Sequence, residues 1–499
     1  MPVLFRLCLN QECFATYDAR VSDFTKLATL GTEGRSTATT VLSMSILRHL
    51  RQEQDLPRLA RKLLCFSDNR QDASLQAGHF NDFAEAGMIR SALCNALVHA
   101  GEAGLGHEEL AQRVFEALGR AYPQGVFPAG HYSADPEARF SRATAIRADF
   151  QAVLGYRLYS DLRRGWRIVA PNLEQCDLLR IEYVDLEEVC ATEDLWSGHA
   201  ALAGAPPEKR RDIAESFLDH LRRHLAIKVD YLNPEYQDRL KQRSSQSLTG
   251  AWKLDDDERL HHAVMALPRS ATGNEGRDGS LFVSSRSVLG GKLRKEFFPE
   301  WNLKLDDTAP LIGAVFAALA GGSLLEEVYA DERGAAYQIP AAVMRWHMGE
   351  GKDARFDTSR MRTHGREALA NPFFVDLYRH AVEETSPLEA AEHTAQVPGE
   401  EREKRERLFR DAKLPIMYCS PTMELGVDIS ELNAVAMRNV PPTPANYAQR
   451  SGRAGRSGQP ALILAYCAQG SAHDQHFFKD PAQMVAGAVS TALLIFPLF

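Results

Sequence analysis

Short apolar runs that end abruptly in polar loops recur in two widely separated stretches of the chain. Leu63–Phe66 runs into Ser67-Asp68-Asn69-Arg70-Gln71-Asp72, and Ile416–Cys419, Ala434–Met437 and residues 461–466 repeat the pattern far downstream. Runs this short, bounded by turn formers, read as buried strands, each delivering a polar loop from its C-terminal end. Helical or turn-rich segments separate the downstream runs. Strands alternating with helices predict an α/β fold with a parallel sheet, whose functional loops follow the strands.

Between about residues 83 and 371 the texture changes, and this stretch looks inserted into the sheet pattern. Helical periodicity marks 107–118 and 208–225, and 324–346 suggests a helix, a small hairpin about Asp331-Glu332-Arg333-Gly334 and a second helix, as in a winged-helix unit. Upstream, a Thr-, Ser- and Gly-rich stretch at 20–40 leads into a helix at about 39–54, where Val41, Met44, Ile46, Leu47 and Leu50 share a helical spacing. Residues 399–411 place Glu400, Glu401 and Glu403 ahead of Lys404, Arg405, Arg407 and Arg410, the order that the helix dipole favours. The predicted organisation is an N-terminal linker segment with a Cys pair and a helix (1–57), a sheet domain (58–83 plus 372–480), an inserted, mainly helical accessory domain (84–371) and a truncated or aberrant tail (481–499).

Composition changes this picture little. At 499 residues the chain accommodates two to four domains, and 44% hydrophobic, 25% charged and 8% aromatic residues describe an ordinary globular protein. The net charge of −8 excludes nucleic-acid binding through an overall basic surface, so any such binding uses a local groove. Arg222, Arg223, Lys228, Arg239, Lys241 and Arg243 could form a basic stripe, but Asp230, Glu235 and Asp238 interrupt it and favour a solvated mixed-charge face. The eight cysteines are scattered, which suits a reducing cytosol better than a disulfide framework. Cys8 and Cys13 could be half of a zinc site, but structural zinc takes four ligands and no second close pair follows, so no metal is assigned. No secretory signal opens the sequence, and residues 481–499 fall short of the roughly 20 apolar residues of a membrane span. A cytoplasmic location without a membrane partner is expected.

The strongest chemical signal is Tyr447-Ala-Gln449-Arg450-Ser-Gly452-Arg453-Ala-Gly455-Arg456, with two Gly-Arg pairs three residues apart. On a helix this spacing would put both guanidinium groups on one face. Small residues between them permit close approach by a backbone or a nucleotide, and the planar forks suit bidentate contact with phosphate oxygens. An exposed arginine pair on an ordinary surface helix would not account for glycines that each cost a helix about 1 kcal/mol.

This stretch resembles motif VI of superfamily 2 helicases, the Gln-x-x-Gly-Arg-x-Gly-Arg box. Upstream, Ser420-Pro-Thr422-Met-Glu424-Leu-Gly426-Val-Asp428-Ile429 resembles motif V of the same family, after a buried strand as expected. Residues 66–71 and Glu392-His393-Thr394-Ala395-Gln396 are similar to the nucleic-acid-contacting loops of that family's RecA-like domain, although a histidine alone is as well read as a structural one. The segment Asn439-Val-Pro-Pro-Thr-Pro-Ala-Asn446-Tyr447 and the large insertion are similar to a branch of large bacterial helicases that includes DISARM-type anti-phage proteins and relatives of DNA-repair helicases.

The resemblance implies a RecA-like domain in which Arg453 and Arg456 act catalytically as fingers. Gly426, Asp428, Gln449 and both arginines would lie by ATP, and Ser67, Asn69, Arg70, His393, Thr394, Ser420 and Thr422 by nucleic acid, DNA being preferred on the resemblance alone. The sequence contains no Gly-x-x-x-x-Gly-Lys-Ser/Thr loop; Gly291-Lys292-Leu293 and Gly351-Lys352-Asp353 do not qualify, and no Asp-Glu pair ends an apolar strand. ATP and Mg2+ would therefore be held mainly by an N-terminal helicase half, in cis or as a separate chain, and this chain alone would be inactive. The alternatives are a non-catalytic nucleic-acid-binding or regulatory subunit, and the remnant of a split or truncated helicase.

Overall fold

The computed structural model describes residues 32–120, 132–163, 170–272, 279–353, 369–384, 388–420, 432–455 and 460–487. These fall into two compact units, one formed by Met1–Ala86 with Glu384–Phe499 and the other by Gly87–Glu383.

The first unit is built on five parallel strands: β1 (Leu63–Phe66), β2 (Ala390–His393), β3 (Ile416–Cys419), β4 (Ala434–Met437) and β5 (Leu462–Ala465), in the spatial order β5-β4-β1-β3-β2. In register, Leu63 lies beside Ile416 and Ala434, so the C-terminal ends of the strands share one edge. β1, β3 and β4 are fully buried, as apolar runs in a sheet covered on both faces must be. Nearly 350 residues of sequence separate the adjacent strands β1 and β3, and the second unit accounts for most of that distance.

Alternate side chains reach opposite faces of the sheet. Leu64, Phe66, Met417, Cys419, Val435 and Met437 pack with Phe409 and, at its rim, Leu408 and Tyr447. These last residues come from helices α3 (Gly399–Arg410) and α4 (Pro444–Ser451). On the other face, α1 (Thr32–Gln52) sends Ser43 to the Cys65 thiol and the Tyr418 hydroxyl, while Phe80 of α2 (Arg70–Ala100) meets the Tyr418 ring at 6.5 Å. The helix expected inside an N-terminal linker is thus part of the sheet domain. Each such large apolar residue contributes about 1.5–3 kcal/mol on burial. Burial also pushes the Cys65 thiol up to about 12, so it serves as a small apolar residue.

The second unit is mainly helical, as expected, and also carries sheets that the sequence pattern did not announce. Long helices are present, among them His107–Arg120, Phe140–Asp161 and Pro207–Arg223, alongside a two-stranded and a five-stranded sheet. The hairpin near Asp331 forms as expected, between Glu326–Asp331 and Gly334–Pro340, but the flanking helices do not. Residues 341–343 make a single 3-10 turn and Met344–Met348 is a strand antiparallel to Leu179–Tyr183. The apolar spacing in 324–346 is too short to separate period 3.6 from period 2, and strand pairing decides it. That segment is a hairpin followed by a paired strand, not a winged-helix unit.

The basic stripe is also resolved. Arg222 is 1% exposed and donates to both Glu174 oxygens and to Asp219, and Arg223 reaches the same two carboxylates. Lys228 pairs with Glu326, Arg243 with Asp149, and Lys241 donates to the carbonyls of Asp256 and Glu258. These cations are spent on internal partners. Among the described residues no helix is long and apolar enough to cross a membrane, and no group of His, Cys, Asp and Glu is placed to hold a metal ion.

Candidate nucleotide and nucleic-acid site

The C-terminal edge of the parallel sheet gathers the loops that carry most of the predicted site. β1 delivers Ser67-Asp68-Asn69-Arg70, β2 delivers Thr394, β3 delivers Ser420, and β4 delivers Arg438-Asn439. Of the predicted nucleic-acid contacts among the described residues, Asn69 and Arg70 are exposed, whereas Ser67, His393, Thr394 and Ser420 have no accessible surface.

The buried members hold the edge together from inside. Ser67 Oγ donates to the carbonyl of Asn69 at 3.0 Å and to that of Cys419 at 3.2 Å, tying the β1 loop to the end of β3. His393 is in fact the last residue of β2, opposite Cys419, where sequence resemblance suggested a loop. Its Nε2 donates to Glu406 Oε1 of α3 at 2.7 Å, which makes a buried edge histidine compatible with the sheet. Thr394 Oγ1 accepts from the Gln396 backbone N–H and donates to Glu392.

Asn69 and Arg70 occupy the start of α2. Asn69 Oδ1 accepts from the Asp72 backbone N–H at 2.8 Å, an N-cap contact that satisfies one of the free donors of the first turn. A long helix presents partial positive charge at this end, and with exposed Arg70 it favours an anion.

Residues 447–451 of the arginine box lie on a helix, but Arg453 falls beyond its end, where the spacing suggested a continuous helical face. α4 starts with the Thr443 side chain capping Asn446 and with Pro444 in its first turn, and it ends at Ser451. Gly452 closes the cap, and Arg453 and Ala454 continue in tight turns, their N–H groups bonding to Arg450 and Ser451 carbonyls at 3.3 and 3.1 Å. Gly455 has φ of +72°, a backbone that a side chain would strain, and its N–H reaches the Leu432 carbonyl at 2.9 Å. Ala454 packs on the same sheet face as Tyr447. Arg453 is half-buried, and although burial pushes the Cys419 thiol up, the Arg453 guanidinium lies close enough to draw it down. Gln449 is exposed, while Arg450 is buried with its guanidinium 5.6 Å from the Phe66 ring centroid. Cys8, Cys13, Thr422, Gly426, Asp428 and Arg456 lie outside the described residues.

Sequence reasoning passed over Glu406, Asp68, Asp72 and Arg438. The available signal was positional, since Arg438 follows Met437 just as Ser67 follows Phe66 at the end of an apolar strand. Arg438 reaches Asp72 Oδ2 at 2.9 Å, Gln76 Oε1 at 3.2 Å and Ser36 Oγ at 3.2 Å.

Residues 367–458 match the family described as Helicase conserved C-terminal domain. Over 118 residues the chain is 40% identical to Druantia protein DruE of Escherichia coli, covering 21% of this chain and 6% of that protein. It is 38% identical over 85 residues to ATP-dependent helicase HRQ1 of Saccharomyces cerevisiae, 17% of this chain and 8% of that one. Against DEAD-box ATP-dependent RNA helicase CshC of Bacillus cereus the identity is 31% over 119 residues, 24% of this chain and 27% of the relative. Among solved structures, S. cerevisiae Dbp5 bound to RNA and ADP BeF3 matches 24% of this chain and 32% of its own at 16% identity, with a TM-score of 0.19. Residues 367–458 are thus similar to a helicase C-terminal domain, in line with the resemblance to superfamily 2 helicases. The chain's matches span from 6% to 27% of the length of the three curated relatives.

Proposed function

We propose that this chain supplies the arginine side of an ATP site and one nucleic-acid grip to an ATP-dependent DNA helicase or translocase. The observation that carries the proposal is the arginine box itself: Arg453, between the Gly452 cap of α4 and Gly455, whose N–H is tied to Leu432, within electrostatic reach of the end of β3. A cation held in place without a helix to support it is suited to meet charge that develops on a γ-phosphoryl group as it passes to water. Exposed Gln449 and half-buried Arg453 fit the phosphate end of ATP, which with Mg2+ supplies a phosphoanhydride bond whose cleavage drives the motor. Arg456, Gly426 and Asp428 complete this side in the proposal. The remaining phosphate contacts, and Mg2+, belong to a phosphate-loop half in cis or in another chain.

The grip is Asn69 and Arg70 at the start of α2, joined in the proposal by Thr422, with Ser67, His393, Thr394 and Ser420 shaping the edge from within. Opening and closing against the other half would shift this grip along a single strand. The test is ATP turnover by the purified chain, alone and combined with a phosphate-loop RecA-like half, with and without single-stranded DNA or RNA. Turnover is expected only in the combination, with DNA stimulating more than RNA. Turnover by the chain alone would overturn the division of the site; DNA binding with no turnover in either case would favour the non-catalytic binding subunit.

A further inference from the structure

The loop that carries Asn69 and Arg70 also carries two carboxylates, Asp68 and Asp72, either of which would repel a phosphate backbone. Each is engaged by a side chain from the exit of β4. The Asn439 side-chain amide donates to Asp68 Oδ1, and the Arg438 guanidinium pairs with Asp72 Oδ2 at 2.9 Å. Both partners come from consecutive residues at the exit of β4, which adjoins β1. Arg438 and Asn439 are each 9% exposed, whereas Asp68 is exposed. The Arg438 backbone N–H extends the β4 to β1 ladder by bonding the Phe66 carbonyl at 2.9 Å, so the two loops leave the sheet in fixed register.

Asp72 is used twice. Its second role is to accept from the Asn69 Nδ2 at 3.1 Å while its own N–H donates back to Asn69 Oδ1. Arg438 therefore orients Asn69 through Asp72, and its other nitrogens reach Gln76 of α2 and Ser36 of α1, which leaves it little freedom to swing away. On the opposite flank, Ser67 ties the same loop to Cys419 of β3. Four residues further along from Asn439, Thr443 caps α4, the helix that leads into Arg453.

We propose that Arg438 and Asn439 are positioning residues: a latch by which the segment entering the arginine box sets the nucleic-acid loop and turns its two carboxylates away from the bound strand. The latch rests on the reading of Asn69 and Arg70 as a nucleic-acid grip. Neither residue touches the strand; each acts through Asp68 or Asp72.

The test uses the full chain, a fluorescein-labelled oligo(dT) followed by anisotropy, and hydrogen exchange of the 67–72 amides followed by mass spectrometry. Asn439→Leu removes the donor without adding charge and is expected to weaken binding about tenfold, the scale of a lost hydrogen bond to a charged group. Arg438→Gln is expected to do the same, with faster exchange in 67–72 for both variants. Exchanging donor and acceptor in the Asp68→Asn, Asn439→Asp double variant keeps the net charge and is expected to restore both binding and protection, whereas Asn439→Asp alone restores neither. Rescue of this kind is not expected of residues that merely stabilise the fold. Wild-type chain that binds oligo(dT), with both single variants binding equally well and 67–72 equally protected, overturns the latch and leaves the grip standing. Wild-type chain that fails to bind overturns the grip; the exchange data then decide the latch alone, since loss in Asn439→Leu with recovery in the swap supports it and uniform protection refutes it.

Discussion

His393 Nε2 meets Glu406 Oε1 at 2.7 Å, joining the last residue of an edge strand to the helix that covers it. The imidazole has no accessible surface, and its other nitrogen, Nδ1, is buried without a hydrogen-bond partner. The ring therefore depends on Glu406 for its single polar contact.

Removing that contact should be costly. Glu406→Ala is expected to destabilise the sheet domain by about 1–3 kcal/mol, the cost of leaving a buried polar group unpaired. Glu406→Gln keeps an acceptor and should lose less. Urea unfolding followed by circular dichroism measures both, and an Ala variant as stable as wild type would show that the pair contributes nothing.

A buried charge cluster makes the second unit sensitive to a single carboxylate. Glu174 accepts both terminal nitrogens of Arg222, at 2.8 and 2.7 Å, and Arg223 besides. Glu174→Ala should cost about 3–5 kcal/mol because it leaves a guanidinium in a dry site with one carboxylate fewer. Affinity for nucleic acid should not change, since these arginines face inward. A variant that unfolds at the wild-type midpoint, or that alters DNA affinity while folded, would restore the basic-stripe interpretation.

Acid should loosen the second unit through His261. Burial first, then the Arg163 guanidinium 2.6 Å away, lowers this imidazole from 6.5 to about 4. Because the folded state favours the neutral ring, its contribution is complete above pH 6.5 and is lost as pH falls towards 4. His261→Gln should therefore lose less thermal stability than wild type between pH 7 and pH 4.5 in paired melting curves. An identical drop in both proteins would remove His261 from the acid response.

Much of the sheet was legible from sequence because β1, β3 and β4 are uniformly apolar and stop where polar loops begin. β2 was not, since Ala-Ala-Glu-His carries its polarity inside the fold and is made tolerable by Glu406, a residue whose partnership only tertiary structure reveals. The arginine box was recognised, but helical spacing was carried past Ser451, where α4 ends at its Gly452 cap. Charge without burial misled at Arg222, which was expected on a solvated mixed-charge face and lies at 1% exposure against carboxylates. Asp68, Asp72 and Arg438 escaped notice for a similar reason: their meaning lies in pairing across adjacent strands, which sequence order conceals.

The decisive measurement is single-stranded-DNA-stimulated ATP turnover by the assembled motor carrying Arg453→Ala, alongside circular dichroism and oligo(dT) affinity of the same chain. Loss of at least about a hundredfold in turnover, the scale seen when one donor to a developing oxyanion is removed, is expected with spectrum and DNA affinity unchanged. Near-normal turnover from the Arg453→Ala motor would contradict the assignment of this arginine to the ATP site.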